Sequence, residues 1–124
     1  MTMRDSINGA KINGPFPQSD GTVALEFRFG ADDPVFAGHF PTRPLLPGVF
    51  QLEMARAAAE WALGCPLAVR EISKAKFQRP IVPGETVRVI LKWSEADGAV
   101  QARAVFSVAG QRAGEAVMRL WRSA

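Results

Sequence analysis

Residues 47–63 constrain the fold more than any other stretch. They read Pro47-Gly48-Val49-Phe50-Gln51-Leu52-Glu53-Met54-Ala55-Arg56-Ala57-Ala58-Ala59-Glu60-Trp61-Ala62-Leu63. Proline suits the first position of a helix, and Gly64-Cys65-Pro66 ends it. The run spans about four turns at 3.6 residues per turn. Only Gln51, Glu53, Arg56 and Glu60 are polar, so most faces are apolar. A helix apolar nearly all round must be buried nearly all round. In a chain of 124 residues, the size of one domain, something else has to enclose it.

Strands supply the enclosure. Val23, Leu25, Phe27 and Phe29 alternate with Glu26 and Arg28. Val87, Val89, Leu91 and Trp93 oppose Thr86, Arg88 and Lys92. Val100, Ala102, Ala104, Phe106 and Val108 oppose Gln101, Arg103 and Ser107. Ala116, Met118 and Leu120 oppose Glu115, Arg119 and Trp121. Period-two alternation marks half-buried antiparallel strands. A weaker strand is expected over Val69–Phe77, with turns at Pro83-Gly84, Asp97-Gly98 and Gly110-Gln111. Residues 1–22 are rich in Gly, Asn, Pro and Ser. They read as a loose lead-in with one short edge strand near Ala10–Ile12 and a turn at Pro17–Gly21. The economical architecture is α+β: one curved antiparallel sheet wrapped around a single central helix. Such a sheet leaves a face or an edge to cover, so a dimer is expected.

Composition excludes several classes. With 48% hydrophobic and 22% charged residues the bulk of the chain is not disordered. The least charged stretch, residues 29–64, still holds Asp32, Asp33, Arg43, Glu53, Arg56 and Glu60, which excludes a membrane-spanning helix. Residues 1–14 contain no apolar run of the export-signal type. Cys65 is the sole cysteine and His39 the sole histidine, so neither a disulfide nor a metal site is expected, and a cytoplasmic location is. Residues 1–60 carry five Lys/Arg against seven Asp/Glu; residues 61–124 carry ten against five. The basic half suits an acidic or phosphate-bearing partner. Its charges alternate along strands with no run and no aromatic ladder, which argues against nucleic acid.

The segment Gly38-His39-Phe40-Pro41-Thr42-Arg43-Pro44-Leu45-Leu46-Pro47-Gly48-Val49 leads from the first clear strand into the helix. Three prolines stiffen it, and it delivers the only histidine just ahead of the helix start. Leu46, at the expected N-cap, has no side-chain acceptor. The N–H groups of Gly48, Val49 and Phe50 are then free to stabilise a negative oxygen, or are capped by water or a loop carbonyl. Glu53 follows His39 by 14 residues. A buried carboxylate beside a histidine base is a workable acid/base pair. The plain alternatives are a helix ion pair between Glu53 and Arg56 at i,i+3, and a loop histidine bonded to backbone.

The run GHFPTRPLLPGVFQLE resembles the signature of the FabZ/FabA type 3-hydroxyacyl-acyl carrier protein dehydratases: G-H-F-P, then P-x-x-P-G-V, then a carboxylate 14 residues after the histidine. A second run, Lys74-Ala75-Lys76-Phe77-Gln78-Arg79-Pro80-Ile81-Val82-Pro83-Gly84-Glu85, is similar to that family's K-x-x-F-x-R-P-V-x-P-G-D segment. Together the two frame residues 33–92.

The resemblance implies the hotdog fold over residues 1–124. It also implies a homodimer or trimer of dimers, with sites at the subunit interface built from His39 of one chain and Glu53 of the other. His39 would take the C2 proton of a 3-hydroxyacyl thioester. The N–H of Gly48, with that of Val49, would receive the charge building on the thioester oxygen. Glu53, directly or through a water, would protonate the leaving hydroxide. Phe36 and Phe77 are the aromatics expected to line an acyl tunnel, the others being ordinary core. Arg43, Lys76 and Arg79 are candidates for docking the acidic carrier protein. The substrate would be a thioester of acyl carrier protein or coenzyme A, with no metal and no cofactor. Two positions depart from the family pattern: Thr42 replaces a usual glycine, and Ala57 stands where many members carry glutamine, four residues after the carboxylate. Two other readings stay open, a hotdog acyl thioesterase and a non-catalytic acyl-binding subunit of a larger synthase.

Overall fold

The computed structural model describes residues 2–33, 36 and 45–123. The elements run α1 (Met3–Ala10), β1 (Lys11–Pro17), β2 (Val23–Arg28), α2 (Gly48–Leu63), β3 (Leu67–Phe77), β4 (Thr86–Ala96), β5 (Ala99–Val108) and β6 (Gln111–Arg122). All six strands form one antiparallel sheet in the order β1-β2-β4-β5-β6-β3. Helix α2 packs against both edge strands, β1 and β3, and also against β4 and β6. A single helix can touch both edges of a six-stranded sheet only if the sheet curls around it. This is the curved antiparallel sheet around one helix that the alternation predicts, and it is the hotdog arrangement that the family resemblance implies.

The inward residues are those that the period-two pattern assigned. Leu25, Phe27, Val87, Val89, Leu91, Val100 and Phe106 are fully enclosed, with Met54, Ala55 and Ala58 of α2 packed in the same core. Each fully buried Val, Leu or Phe side chain contributes about 1.5–3 kcal/mol. Trp61 anchors the far end of α2 over β2: its ring lies 5.9 Å from that of Phe27, and Lys11 Nζ sits 5.1 Å above it. The helix stops where expected, with Gly64 left-handed at φ 73° and its N–H donated to Glu60 O. At the other end Pro47 is the N-cap, one residue later than the sequence indicated, and it makes no side-chain cap.

Three expectations are corrected. The N-terminal lead-in is not loose. Met3–Ala10 is a helix opened by a capping box: Asp5 N–H donates to Thr2 Oγ1 and Thr2 N–H to Asp5 Oδ2. Ile7 and Ala10 bury its inner face. The short edge strand is the longer β1, which starts at Lys11 and reaches Pro17. The hairpin between β5 and β6 also turns one residue early, at Ala109-Gly110, both with positive φ.

Candidate active site

The two motif segments meet in space. Leu46 N–H, just ahead of α2, donates to Ile81 O at 2.8 Å, and Gly84 N–H donates to Phe29 O at 2.9 Å. The segment after β3 therefore ties down both ends of the connection between β2 and α2. The anchor of that segment is β6: Gln78 and Arg79 both donate backbone N–H to Ala113 O. Its turn is closed by Glu85, whose carboxylate accepts two bonds from the Arg79 guanidinium and one from Val82 N–H. The Arg79 bonds hold the Glu85 carboxyl below its usual range.

Phe77 sits at the junction. A Cβ on Gly48 would come within 2.7 Å of the Phe77 ring, so the helix start and the aromatic side chain are in direct contact, and any larger residue at position 48 would have to displace the ring. A Cβ on Gly114 of β6 would meet Lys76 O at 2.7 Å and Phe77 Cδ1 at 3.1 Å. The ring is clasped between two glycines, yet Phe77 stays 39% exposed.

At the start of α2 no side chain caps the helix. Phe50 N–H donates to Pro47 O at 3.0 Å, so it leaves the set of free donors; among the described residues, the N–H groups of Gly48 and Val49 have no backbone acceptor. Val49 is 55% exposed. Phe36 belongs to the main core, not to an open wall, in the single chain.

Glu53 lies five residues beyond Gly48, about 7.5 Å further along the axis at 1.5 Å per residue. It is neither isolated nor fully buried. Its Oε1 accepts Arg56 Nε at 2.7 Å and a still closer contact from Arg56 Nη2, and Arg4 Nε of α1 stands 3.6 Å away. The i,i+3 pair that the sequence allowed is thus formed. Arg56 itself is only 5% exposed. It also pairs with Glu60 Oε2 at 2.7 Å and donates to Leu67 O at 3.2 Å. Burial alone would pull the Arg56 guanidinium down; its bonds to Glu53 and Glu60 outweigh that and raise it. A cavity of about 70 Å³ lies beside this cluster, lined by Arg4, Glu53, Arg56, Ala57 and Glu60 among others.

The structure places Gly48 against Phe77, with Val49 next to it and Glu53 further along the same helix, where its partners are Arg56 and Arg4. Lys76 is exposed on β3 next to Phe77. Arg79 is nearby but its guanidinium is held by Glu85. His39 and Arg43 lie outside the described residues. Sequence reasoning missed the burial of Arg56 and the contact from Arg4. The signal for the latter was the Thr2-x-x-Asp5 spacing, which opens a helix. A surface depression of about 250 Å³ at the β4–β5 hairpin is lined by Ser94, Gln101, Arg119 and Trp121 among others, and none of the candidate residues lines it. Among the described residues no cluster suits a metal ion, and no helix is long and apolar enough to cross a membrane.

Comparison with known proteins agrees with this arrangement. Residues 16–117 match the family model of the ApeI-like dehydratases, described as ApeI dehydratase. The 3-hydroxyacyl-acyl-carrier-protein dehydratase FabZ of Desulforamulus reducens is 39% identical over 84 residues, covering 60% of this chain and 59% of that protein. The FabZ of Pelotomaculum thermopropionicum is 34% identical over 106 residues, covering 78% and 76%. Among solved structures, the dehydratase heterocomplex ApeI:P from Xenorhabdus doucetiae superposes with a TM-score of 0.75 at 26% identity, covering 90% of this chain and 96% of that one. With the family model matched along most of its length, and two motif segments clasped around the start of its central helix, the chain belongs to the ApeI-like dehydratases of the hotdog superfamily.

Proposed function

We propose that the chain removes water from 3-hydroxyacyl thioesters, carried on acyl carrier protein or coenzyme A, to give trans-2-enoyl thioesters in fatty acid or polyketide-type synthesis. The observation that carries this reading is the uncapped start of α2, held against Phe77 and followed by Glu53 on the same helix. His39 takes the C2 proton. Electron density moves onto the thioester oxygen, where the N–H groups of Gly48 and Val49 receive it; such a donor is worth about 3–4 kcal/mol in the transition state. The C2–C3 double bond then forms as the C3–O bond breaks. Glu53, directly or through a water, supplies the proton that lets hydroxide leave as water. The acyl chain runs past Phe77 and Phe36.

The site is completed by a second subunit, in a homodimer or a trimer of dimers. Strand β3 is the edge best suited to meet it, being 11 residues long with Val69, Ile72 and Phe77 exposed. The opposite edge, β1, carries Pro15 and Pro17, which cannot donate to a new strand. The ApeI:P heterocomplex supports a two-subunit assembly. Lys76 and Arg43 are the basic residues proposed to meet the carrier protein, while Arg79, held by Glu85, braces the turn after β3. A lone cysteine fits a reducing cytoplasm.

The test is hydration of crotonyl and longer trans-2-enoyl thioesters, on carrier protein and on coenzyme A, followed by loss of enoyl absorbance. Turnover by the wild type with loss of at least about 100-fold in His39→Ala and Glu53→Gln is the expected result, the usual scale for removing an acid/base group. A folded wild-type protein inert on every enoyl thioester but active in releasing free thiol would establish the thioesterase instead. Inertness in both assays would leave a non-catalytic subunit.

A further inference from the structure

We propose that Arg56 is the positioning residue of the active-site carboxylate, fixing Glu53 by one oxygen and leaving the other for the reacting proton; this rests on the assignment of Glu53 above. Three observations converge. First, the Arg56 guanidinium is buried and anchored on two elements: Glu53 and Glu60 of α2, and the carbonyl of Leu67 at the start of β3. Glu60 Oε2 in turn accepts Leu67 N–H at 2.8 Å, which locks that corner. An arginine fork held at both ends has lost its rotamer freedom in the folded state, so it can hold a third group without further ordering.

Second, the grip is one-sided. Both Arg56 contacts and the Arg4 contact fall on Oε1 of Glu53. Among the described residues nothing is bonded to Oε2. A carboxylate pinned at one oxygen has a fixed plane and presents the other in one direction. That is the requirement for proton exchange at a single substrate hydroxyl.

Third, Ala57 explains why an arginine is there. Glutamine at this position, one turn beyond the carboxylate, would be within reach of Glu53. Ala57 offers no donor, and it borders the 70 Å³ cavity beside Glu53. The donor comes from Arg56 at i+3 instead. An ordinary surface pair at this spacing would be worth about 0.3–0.5 kcal/mol. Burial of this one means that neither charge is simply solvated, so the pair is a fixed feature of the site.

The experiment compares steady-state hydration of an enoyl thioester by the full-length wild type, R56K, R56A, R56A/A57Q, E60Q and E53Q, each checked by circular dichroism and thermal melting. R56K retains the charge but cannot fork between Glu53, Glu60 and Leu67, so it tests positioning even where R56A fails to fold. The expected result is a loss in kcat on the order of 10²-fold for R56K, with KM changed less than about twofold, the signature of geometry lost in the transition state. R56A/A57Q should recover at least about tenfold in kcat over R56A by returning a donor to Glu53. E60Q removes one of the anchors of the Arg56 fork but leaves its bonds to Glu53, so it should lose less kcat than R56K while melting lower. Wild-type kcat in R56K alongside an inactive E53Q overturns the proposal and leaves the role of Glu53 intact. Equal kcat losses in R56K and E60Q without rescue in R56A/A57Q also overturn it, because Arg56 then serves the fold alone. Full activity in E53Q removes the premise.

Discussion

Glu115 projects from β6 on the outer side of the sheet, and three cations converge on it. Lys74 of β3 is 2.7 Å from one oxygen; Arg103 of β5 and Arg112 of β6 are 2.6 and 2.8 Å from the other. Alternation correctly put Glu115 opposite Ala116, but the residue is buried all the same, because its partners lie across it. Hydrogen bonds from Lys74 and then Arg103 outweigh desolvation and lower its pKa from 4.5 to about 2. A carboxylate depressed on folding contributes stability that is fully present above its unfolded pKa and fades as pH falls through the folded one. The wild-type melting temperature should therefore drop as pH goes from about 4.5 toward 2, and part of that drop should vanish in Glu115→Gln, which starts lower at pH 7. Parallel curves for the two proteins would show that Glu115 carries none of the acid sensitivity. Glu53 and Arg56 illustrate the same limit of sequence reading. Their spacing foretold the pair, but nothing in the helix sequence separates a solvated ion pair from one enclosed beneath α1.

Among the elements, α1 was the one the sequence hid. Eight residues including Asn8 and Gly9 are too few and too weak to hold a helix unaided. It persists because Ile7 and Ala10 pack into the core and Thr2 and Asp5 cap its start. Strands β2, β4, β5 and β6 were legible because each has one wet and one dry face. β3 was weaker than these, since its residues beyond Leu67 are mostly exposed in the single chain. Its place is set by β6, and by Gly114 in particular, where Phe77 pairs across the ladder. Alanine there would press its Cβ against Lys76 O, a backbone atom that cannot swing aside. Gly114→Ala should cost about 1–3 kcal/mol in urea unfolding, the usual penalty of overpacking. A change under about 0.5 kcal/mol would mean the β3–β6 corner yields more easily than its spacing indicates.

For the molecule as a whole, the open edge of β3 is the feature left unresolved by one chain. Natural sheets seldom leave a long edge with exposed Val and Ile uncovered. In the proposed dimer this edge pairs with a second copy, close to the junction of Phe77 and Gly48. A lysine at position 72 would place an unpaired charge in that contact. Ile72→Lys should therefore convert the protein from dimer to monomer by light scattering after gel filtration, and should abolish hydration activity even though position 72 is not itself a candidate for the chemistry. An unchanged mass with full activity would move the interface to another surface.

The central helix, the strand faces and the order of the two motifs are legible in the linear chain. These depend on local periodicity and on side-chain chemistry along the chain, which a linear reading contains. Other features appear only in the packed molecule: the second motif ties down both ends of the β2–α2 connection through Leu46–Ile81 and Phe29–Gly84, Phe77 is clasped between Gly48 and Gly114, and Arg56 is buried with its guanidinium on Glu53. The backbone ties and the Phe77 contacts join residues from different elements, and the burial of Arg56 involves the start of β3, where it donates to Leu67 O. Such contacts exist only once the sheet has curled around α2, because burial and hydrogen-bond partners are properties of the packed chain and not of any segment within it.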